Sequence, residues 1–219
     1  MKIIVLAGGL STERDVSLSS SAGICRTLLE KGHDAFLLDV FMGFPYEKDR
    51  LEEVFTLPDH GLDIVKNISE EEPDLAAVKA SRPDQSDCFL GPNVIELCRM
   101  ADITFLGLHG GEGENGKLQA TFDLLGIRYT GPDSLGCAIA MDKGVTKQIF
   151  QQAGVDTPKG VCIHKNKKKK ELDDLGLTLP VVVKPCSGGS SIGVYIAQTA
   201  EEYAEALENS FRYEDEVVI

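Results

Sequence analysis

Basic residues are scarce in this sequence: 22 lysines and arginines stand against 35 aspartates and glutamates, a formal net charge of −13 over 219 residues. So acidic a chain offers no extended positive surface to neutralise a run of phosphates, which argues against general nucleic-acid binding. Long apolar runs are missing as well. No stretch approaches the ~20 residues needed to cross a bilayer. The opening run Lys2-Ile3-Ile4-Val5-Leu6-Ala7 is too short for the apolar region of a secretory leader. Closely paired cysteines are also lacking: Cys25, Cys88, Cys98, Cys137, Cys162 and Cys186 are widely spaced, with no C-x-x-C. Several fall in apolar stretches, where a free thiol behaves as a small buried hydrophobe. The expectation is a soluble, reduced, cytoplasmic protein with neither a membrane nor a nucleic-acid partner. The one basic cluster, Lys165 with Lys167 to Lys170, reads as a solvated loop, an anion site being the sharper alternative.

What is present alternates between strand-length apolar runs and stretches of helical period. Ile3 to Ala7 is a strand broken by Gly8-Gly9; Val16, Ile24, Cys25, Leu28 and Leu29 mark a helix face closed by Gly32; Ala35 to Val40 is the next strand. That is a β-α-β unit, so an α/β fold with a parallel sheet is expected. Residues 41 to about 90 show no sustained period and read as peripheral. A helix at Val94 to Met100 follows, then a strand at Ile103 to Leu108, a helix carrying Leu118, Phe122 and Leu125, and a strand at Ile127 to Thr130. The first domain ends near residue 132.

The second segment, 133–219, has an α+β grain. A helix from Asp142 to Gln152 presents Val145, Ile149 and Phe150; strands are expected near Gly160 to Ile163, Leu179 to Pro185 and Val194 to Ala197. Thr199 and Glu202 form a capping box for a helix reaching Asn209. Glu216-Val217-Val218-Ile219 reads as a strand left with an open, unpaired edge, in a segment with too few strands to be complete.

Three stretches carry chemistry. Lys184-Pro185-Cys186-Ser187-Gly188-Gly189-Ser190-Ser191-Ile192-Gly193 sets a lysine at a strand end before a loop of small residues. Glycines there let successive backbone N–H groups converge on an anion, with the serine hydroxyls beside them. The order differs from Walker A, where the lysine follows the glycines; a plain flexible hairpin loop is the alternative. Gly8 to Ser17 puts Glu13 at the carboxyl end of the first strand, where open α/β sheets bind ligands. Its carboxylate can hold an ammonium or merely complement the helix dipole. His109 to Gly116 places a histidine and two carboxylates at the same sheet edge, without metal-ligand spacing.

Taken in order, Gly8-Gly9 with Ser11-Thr12-Glu13-Arg14-Asp15-Val16-Ser17, Leu108-His109-Gly110 with Gly113-Glu114-Asn115-Gly116, Tyr129-Thr130-Gly131, Met141-Asp142-Lys143, and Val183-Lys184-Pro185 with Gly189-Ser190-Ser191-Ile192-Gly193 resemble the D-alanine–D-alanine ligases, an ATP-grasp family. The resemblance implies a Rossmann-like, substrate-binding pre-ATP-grasp domain at 1–132 and an incomplete first ATP-grasp subdomain at 133–219. It implies an ATP-dependent ligase that joins two D-alanines through an acyl phosphate for peptidoglycan precursors. Glu13 would bind the first D-alanine's ammonium, Ser190 would orient Glu13, and His109 would line that pocket. Lys143, Lys184, Gly189, Ser190 and Ser191 would contact ATP. Magnesium would be held by residues outside this sequence, so the 219 residues alone are expected to be inactive. A homodimer is compatible with the resemblance.

Three rivals remain at this stage. A D-alanine–D-lactate or D-alanine–D-serine ligase would share these motifs. A dinucleotide-binding oxidoreductase would share the first strand, the glycine turn and Asp39, but it lacks the third glycine of G-x-G-x-x-G and carries Glu13 where a pyrophosphate would sit. A non-catalytic nucleotide-binding module is the third.

Overall fold

A computed structural model describes residues 1–45, 47–65, 72–167, 170–187, 189 and 192–219. They divide into two compact units, Met1–Ser134 and Leu135–Ile219. No described helix is long and apolar enough to cross a membrane.

The first unit runs β1 (Lys2–Ala7), α1 (Arg14–Glu30), β2 (Asp34–Asp39), 3-10 helices at Lys48–Thr56 and Leu62–Ile64, α2 (Leu75–Ser81), α3 (Val94–Met100), β3 (Ile103–Leu106), α4 (Gly111–Glu114) and α5 (Lys117–Leu125). The sheet is parallel with order β2-β1-β3. β1 reads as an unbroken apolar run because both of its faces are covered. Ile3, Val5 and Ala7 meet Leu18, Ala22 and Cys25 of α1 on one side. On the other, Ile4 and Leu6 join Val94, Leu97 and Phe122. Each such fully buried side chain contributes roughly 1.5–3 kcal/mol.

Several expectations need correction here. Val16 is exposed, and the buried face of α1 is Arg14, Ser17, Leu18, Ser21, Ala22 and Cys25. Two serines replace apolar residues on that face because each donates to the Gly107 carbonyl, at 2.7 Å from Ser17 and 3.0 Å from Ser21. Residues 41–90 are not merely peripheral either. Leu51, Val54 and Phe55 enter the main core, and Arg82 is 1 % exposed. Its guanidinium donates to the carbonyls of Phe41 (3.2 Å) and Cys88 (2.6 Å) and to Asp84. Leu51 and Val54 are three residues apart, one turn of the 3-10 helix that carries them. Ile127 to Thr130 is not a strand; it touches the sheet through one parallel bridge, Thr104 to Tyr129.

The second unit opens with α6 (Ser134–Met141) and continues through α7 (Lys143–Gln152), β4 (Cys162–His164), α8 (Leu172–Leu175), β5 (Val181–Pro185), β6 (Tyr195–Ala197), α9 (Ala200–Ser210) and β7 (Glu216–Val218). Its sheet has the order β4-β7-β5-β6 and is antiparallel throughout. The expected open edge at Glu216 to Ile219 is therefore wrong. β7 is an interior strand, paired with β4 on one side and β5 on the other, and the edges are the three-residue strands β4 and β6. α9 covers one face, packing Tyr203, Ala206 and Leu207 on Ile163, Val183, Ala197 and Val217. On α7, Val145, Ile149 and Phe150 are exposed, so that stripe is no core face. Lys168 and Lys169 of the basic run lie outside the described residues, and Lys165 pairs with Asp215 at 2.5 Å.

The capping box at α9 is present in both halves. Thr199 Oγ1 accepts the Glu202 N–H at 3.2 Å, and Glu202 Oε2 accepts the Thr199 N–H at 3.3 Å. Thr199→Ala is expected to lower the unit's stability by about 1 kcal/mol, read as a shift in the urea midpoint at unchanged slope. No shift would mean that solvent replaces the hydroxyl without loss.

Candidate functional site

In the first unit the carboxyl ends of β1 and β3 converge. After Ala7 the chain turns through Gly8 and Gly9, both with positive φ. A side chain at Gly8 would put its Cβ 2.7 Å from Asp39 Cγ, so the turn demands glycine for space as well as conformation. Asp39 ends β2 and accepts the N–H groups of Phe41 (2.9 Å) and Met42 (3.1 Å). It is also ion-paired to Arg14, which donates in turn to the Gly9 carbonyl at 2.7 Å. Ser17 Oγ accepts the Gly8 N–H at 3.0 Å and donates to Gly107. The turn is thereby tied to both neighbouring strands before any ligand arrives.

Glu13 sits at the N-cap position of α1, half-buried. Ser11 Oγ accepts the Glu13 N–H at 3.3 Å and donates to the His109 carbonyl at 2.6 Å, bridging the two loops. The Ser20 hydroxyl donates to the Val16 carbonyl at 2.8 Å and lies 3.3 Å from His109 Nε2. Gly110 has positive φ, and a Cβ there would lie 3.0 Å from Glu13 Oε2. A narrow cleft between the loops is lined by Gly8, Gly9, Ser11, Leu108, His109 and Gly113. Glu13 and His109 therefore stand on facing loops at the ends of β1 and β3. The sequence reading passed over Ser11, Ser17 and the Arg14–Asp39 pair that position them.

In the second unit a cavity of about 620 Å³ is lined by, among others, Lys143, Lys147, Phe150, Thr157, Val182 and Lys184. Lys184 comes from β5 and Lys143 begins α7, whose N-terminus is capped by Asp142 accepting the Val145 N–H at 2.9 Å. Both the backbone N–H of Lys143 (2.9 Å) and its Nζ (3.3 Å) donate to the Cys186 carbonyl. Burial holds the Lys143 ammonium below the usual lysine range, and the Lys184 charge nearby adds to the effect. Two ammoniums on one partly apolar wall repel each other, and an anion between them removes that cost. Lys147 was missed by sequence reading, although its i+4 spacing from Lys143 puts both on one helix face. It donates to Thr157 Oγ1 at 3.1 Å. Gly189 is a half-buried loop residue, while Ser190 and Ser191 lie outside the described residues.

Comparison with known proteins agrees with both halves of the chain. Residues 2–132 match the family model described as D-ala D-ala ligase N-terminus, and residues 149–219 match D-ala D-ala ligase C-terminus. A D-alanine–D-alanine ligase of Lacticaseibacillus casei (strain BL23) is 41% identical over 219 residues, all of this chain and 60% of that protein. One of Pediococcus pentosaceus is 42% identical over 220 residues, covering 62% of its length. The chain therefore spans about three fifths of the length of these curated relatives. Among solved structures, the Bacillus anthracis D-alanine–D-alanine ligase complexed with ATP is similar over the whole chain and 57% of its own, with a TM-score of 0.67 at 29% identity. The VanG D-Ala:D-Ser ligase of Enterococcus faecalis matches 99% of the chain and 61% of its own, also with a TM-score of 0.67, at 27% identity.

Proposed function

The chain belongs to the D-alanine–D-alanine ligase family, and on that premise we propose that it supplies the first amino-acid site and part of the ATP site of an enzyme joining two D-alanines. The carboxylate of the first D-alanine attacks the γ-phosphorus of ATP and ADP leaves, giving an acyl phosphate. The amine of the second then attacks the acyl carbon, phosphate departs, and the amide is formed with loss of one proton. Glu13 pairs with the ammonium of the first D-alanine, and His109 lines the same pocket. Lys143 and Lys184 neutralise phosphate oxygens, and Gly189 and Ser191 are further ATP contacts on this reading. Such a transfer depends mainly on positioning and charge stabilisation. The observation that carries this reading is the pair of lysines on one wall of the 620 Å³ cavity, in a chain whose relative is seen with ATP.

Magnesium is the cofactor such a reaction calls for, and it would supply charge neutralisation to the transferring phosphoryl group. Among the described residues, one group of three metal-competent side chains converges: Cys162, Cys186 and Glu216. Magnesium takes hard oxygen donors in octahedral geometry, so this set does not fit it. The product would serve peptidoglycan precursor synthesis in the cytoplasm.

The oxidoreductase alternative fails on Asp39. The carboxylate that would meet a ribose is already taken by Arg14 and two backbone N–H groups. A D-alanine–D-serine ligase stays as a second reading because VanG is among the similar structures. Incubation with ATP, magnesium, D-alanine and either D-serine or D-lactate, with products resolved by mass, separates these specificities. For an enzyme that holds these 219 residues together with magnesium ligands, dipeptide from D-alanine alone is the expected outcome. No phosphate release from that enzyme with any of the three would leave a non-catalytic nucleotide-binding module; the 219 residues by themselves are expected to release none. Glu13→Gln should raise the KM of the first D-alanine by roughly 10- to 100-fold, the loss of a charged hydrogen bond, with the KM for ATP little changed. A defect confined to the second amino-acid site would show that Glu13 is misplaced.

A further inference from the structure

The sheet of the second unit gathers two thiols that are remote in sequence. Cys162 Sγ and Cys186 Sγ lie 2.8 Å apart. Together with a Glu216 carboxylate oxygen, the three donor atoms fall within 4.8 Å of one another. They come from three adjacent strands: Cys162 opens β4, Glu216 opens β7, and Cys186 directly follows β5, its N–H donating to the Glu216 carbonyl at 3.1 Å. Cys162 is opposite Val218, and His164 is opposite Glu216. Side chains alternate along a strand, so Cys162 and Glu216 project from one face of the sheet.

We propose that Cys162, Cys186 and Glu216 form a binding site for a thiophilic divalent cation of the zinc class. Two sulfurs and one carboxylate are a donor set that zinc accepts and that magnesium and calcium do not. Zn–S bonds of ~2.3 Å in tetrahedral geometry hold two sulfurs roughly 3.8 Å apart, so the thiols need to open by only about an ångström. Water completes the fourth position. A disulfide is the less fitting use of this pair. β4 and β5 are separated by the whole of β7, whereas a disulfide needs Cα atoms within about 7 Å. A cation bridging the sulfurs tolerates a wider backbone. The carboxylates of Asp142 and Glu214 also act on both thiols, adding negative charge around the set.

The site adjoins Lys143. The Cys186 carbonyl receives both Lys143 donors, and Gly144 lies so near Cys162 that an added Cβ would sit 3.1 Å from its sulfur. Binding therefore acts on the start of α7. The assignment does not depend on the ligase reading, and its test needs no catalysis. Reduced, metal-free protein titrated with Co²⁺ alone is expected to bind one equivalent and show thiolate-to-cobalt charge-transfer absorption, which Zn²⁺ then abolishes by displacement. Zn²⁺ should also slow alkylation of Cys162 and Cys186, located by peptide mapping, and leave that of exposed Cys88 unchanged; this readout requires no variant. Cys162→Ser and Cys186→Ser should each weaken binding at least about tenfold, and Cys88→Ser should not. A cobalt spectrum without thiolate bands, or unprotected Cys162 and Cys186, overturns the assignment. Affinity that survives Cys162→Ser does the same.

Discussion

Arg14→Met is expected to destabilise the first unit by about 3–5 kcal/mol, because it strands a buried carboxylate. The Arg14 and Asp39 side chains are 10% and 5% exposed, so water cannot replace the guanidinium. With typical stabilities of about 5–15 kcal/mol, that is roughly a fifth or more of what the unit has. The sequence holds no tryptophan, so far-UV circular dichroism during urea denaturation is the suitable probe. Removing both partners, Arg14→Met with Asp39→Leu, should recover much of the loss, since a buried pair replaced by apolar side chains is often neutral. A single-mutant loss below about 1 kcal/mol would mean that the pair behaves as a surface contact.

Lys184→Ala is the second large expectation. The half-buried ammonium on the cavity wall is assigned to ATP phosphates, and a hydrogen bond to a charged group is worth about 1.5–3 kcal/mol. Affinity for magnesium-ATP should fall roughly 10- to 150-fold in calorimetric titration, with the thermal melting midpoint of the free protein nearly unchanged. Lys143→Ala should behave similarly. Unaltered ATP affinity in both variants would remove the phosphate role and leave two lysines that merely edge a cavity.

The parts of the fold legible in the sequence were those with strong periods or punctuation. β1 and β2 announced themselves as buried apolar runs bounded by glycine turns, and the Thr199–Glu202 capping box marked α9 to within a residue. What escaped notice depended on contacts between distant segments. Nothing local in Ser17 or Ser21 says that they face the sheet; they do so because the Gly107 carbonyl, far along the chain, accepts from both. Val145, Ile149 and Phe150 have helical spacing yet remain exposed, since spacing reports a stripe and not what covers it. The candidate site shows the same division. Glu13, His109, Lys143 and Lys184 were visible as unusual residues at strand ends or beside glycines. The supports around them, Ser11 bridging to the His109 carbonyl and Asp39 gripping the Gly8-Gly9 turn, required the structure. Cys162 and Cys186 looked unrelated because their proximity is made by β7, which follows both.

The interior position of β7 also sets a timetable for translation. Nascent chains fold domain by domain, N-terminal first, while emerging at about 5–20 residues per second. Residues 1–134, already a compact unit, can fold while the remainder is still being made. β4 and β5, by contrast, have no hydrogen-bonding neighbour between them until Glu216–Val218 leaves the ribosome. For those seconds the nascent second unit presents unpaired backbone edges on β4 and β5, the kind of surface that makes chaperones necessary. Ribosome stalling just before residue 216 should therefore leave a protease-resistant first unit attached to a protease-sensitive second one.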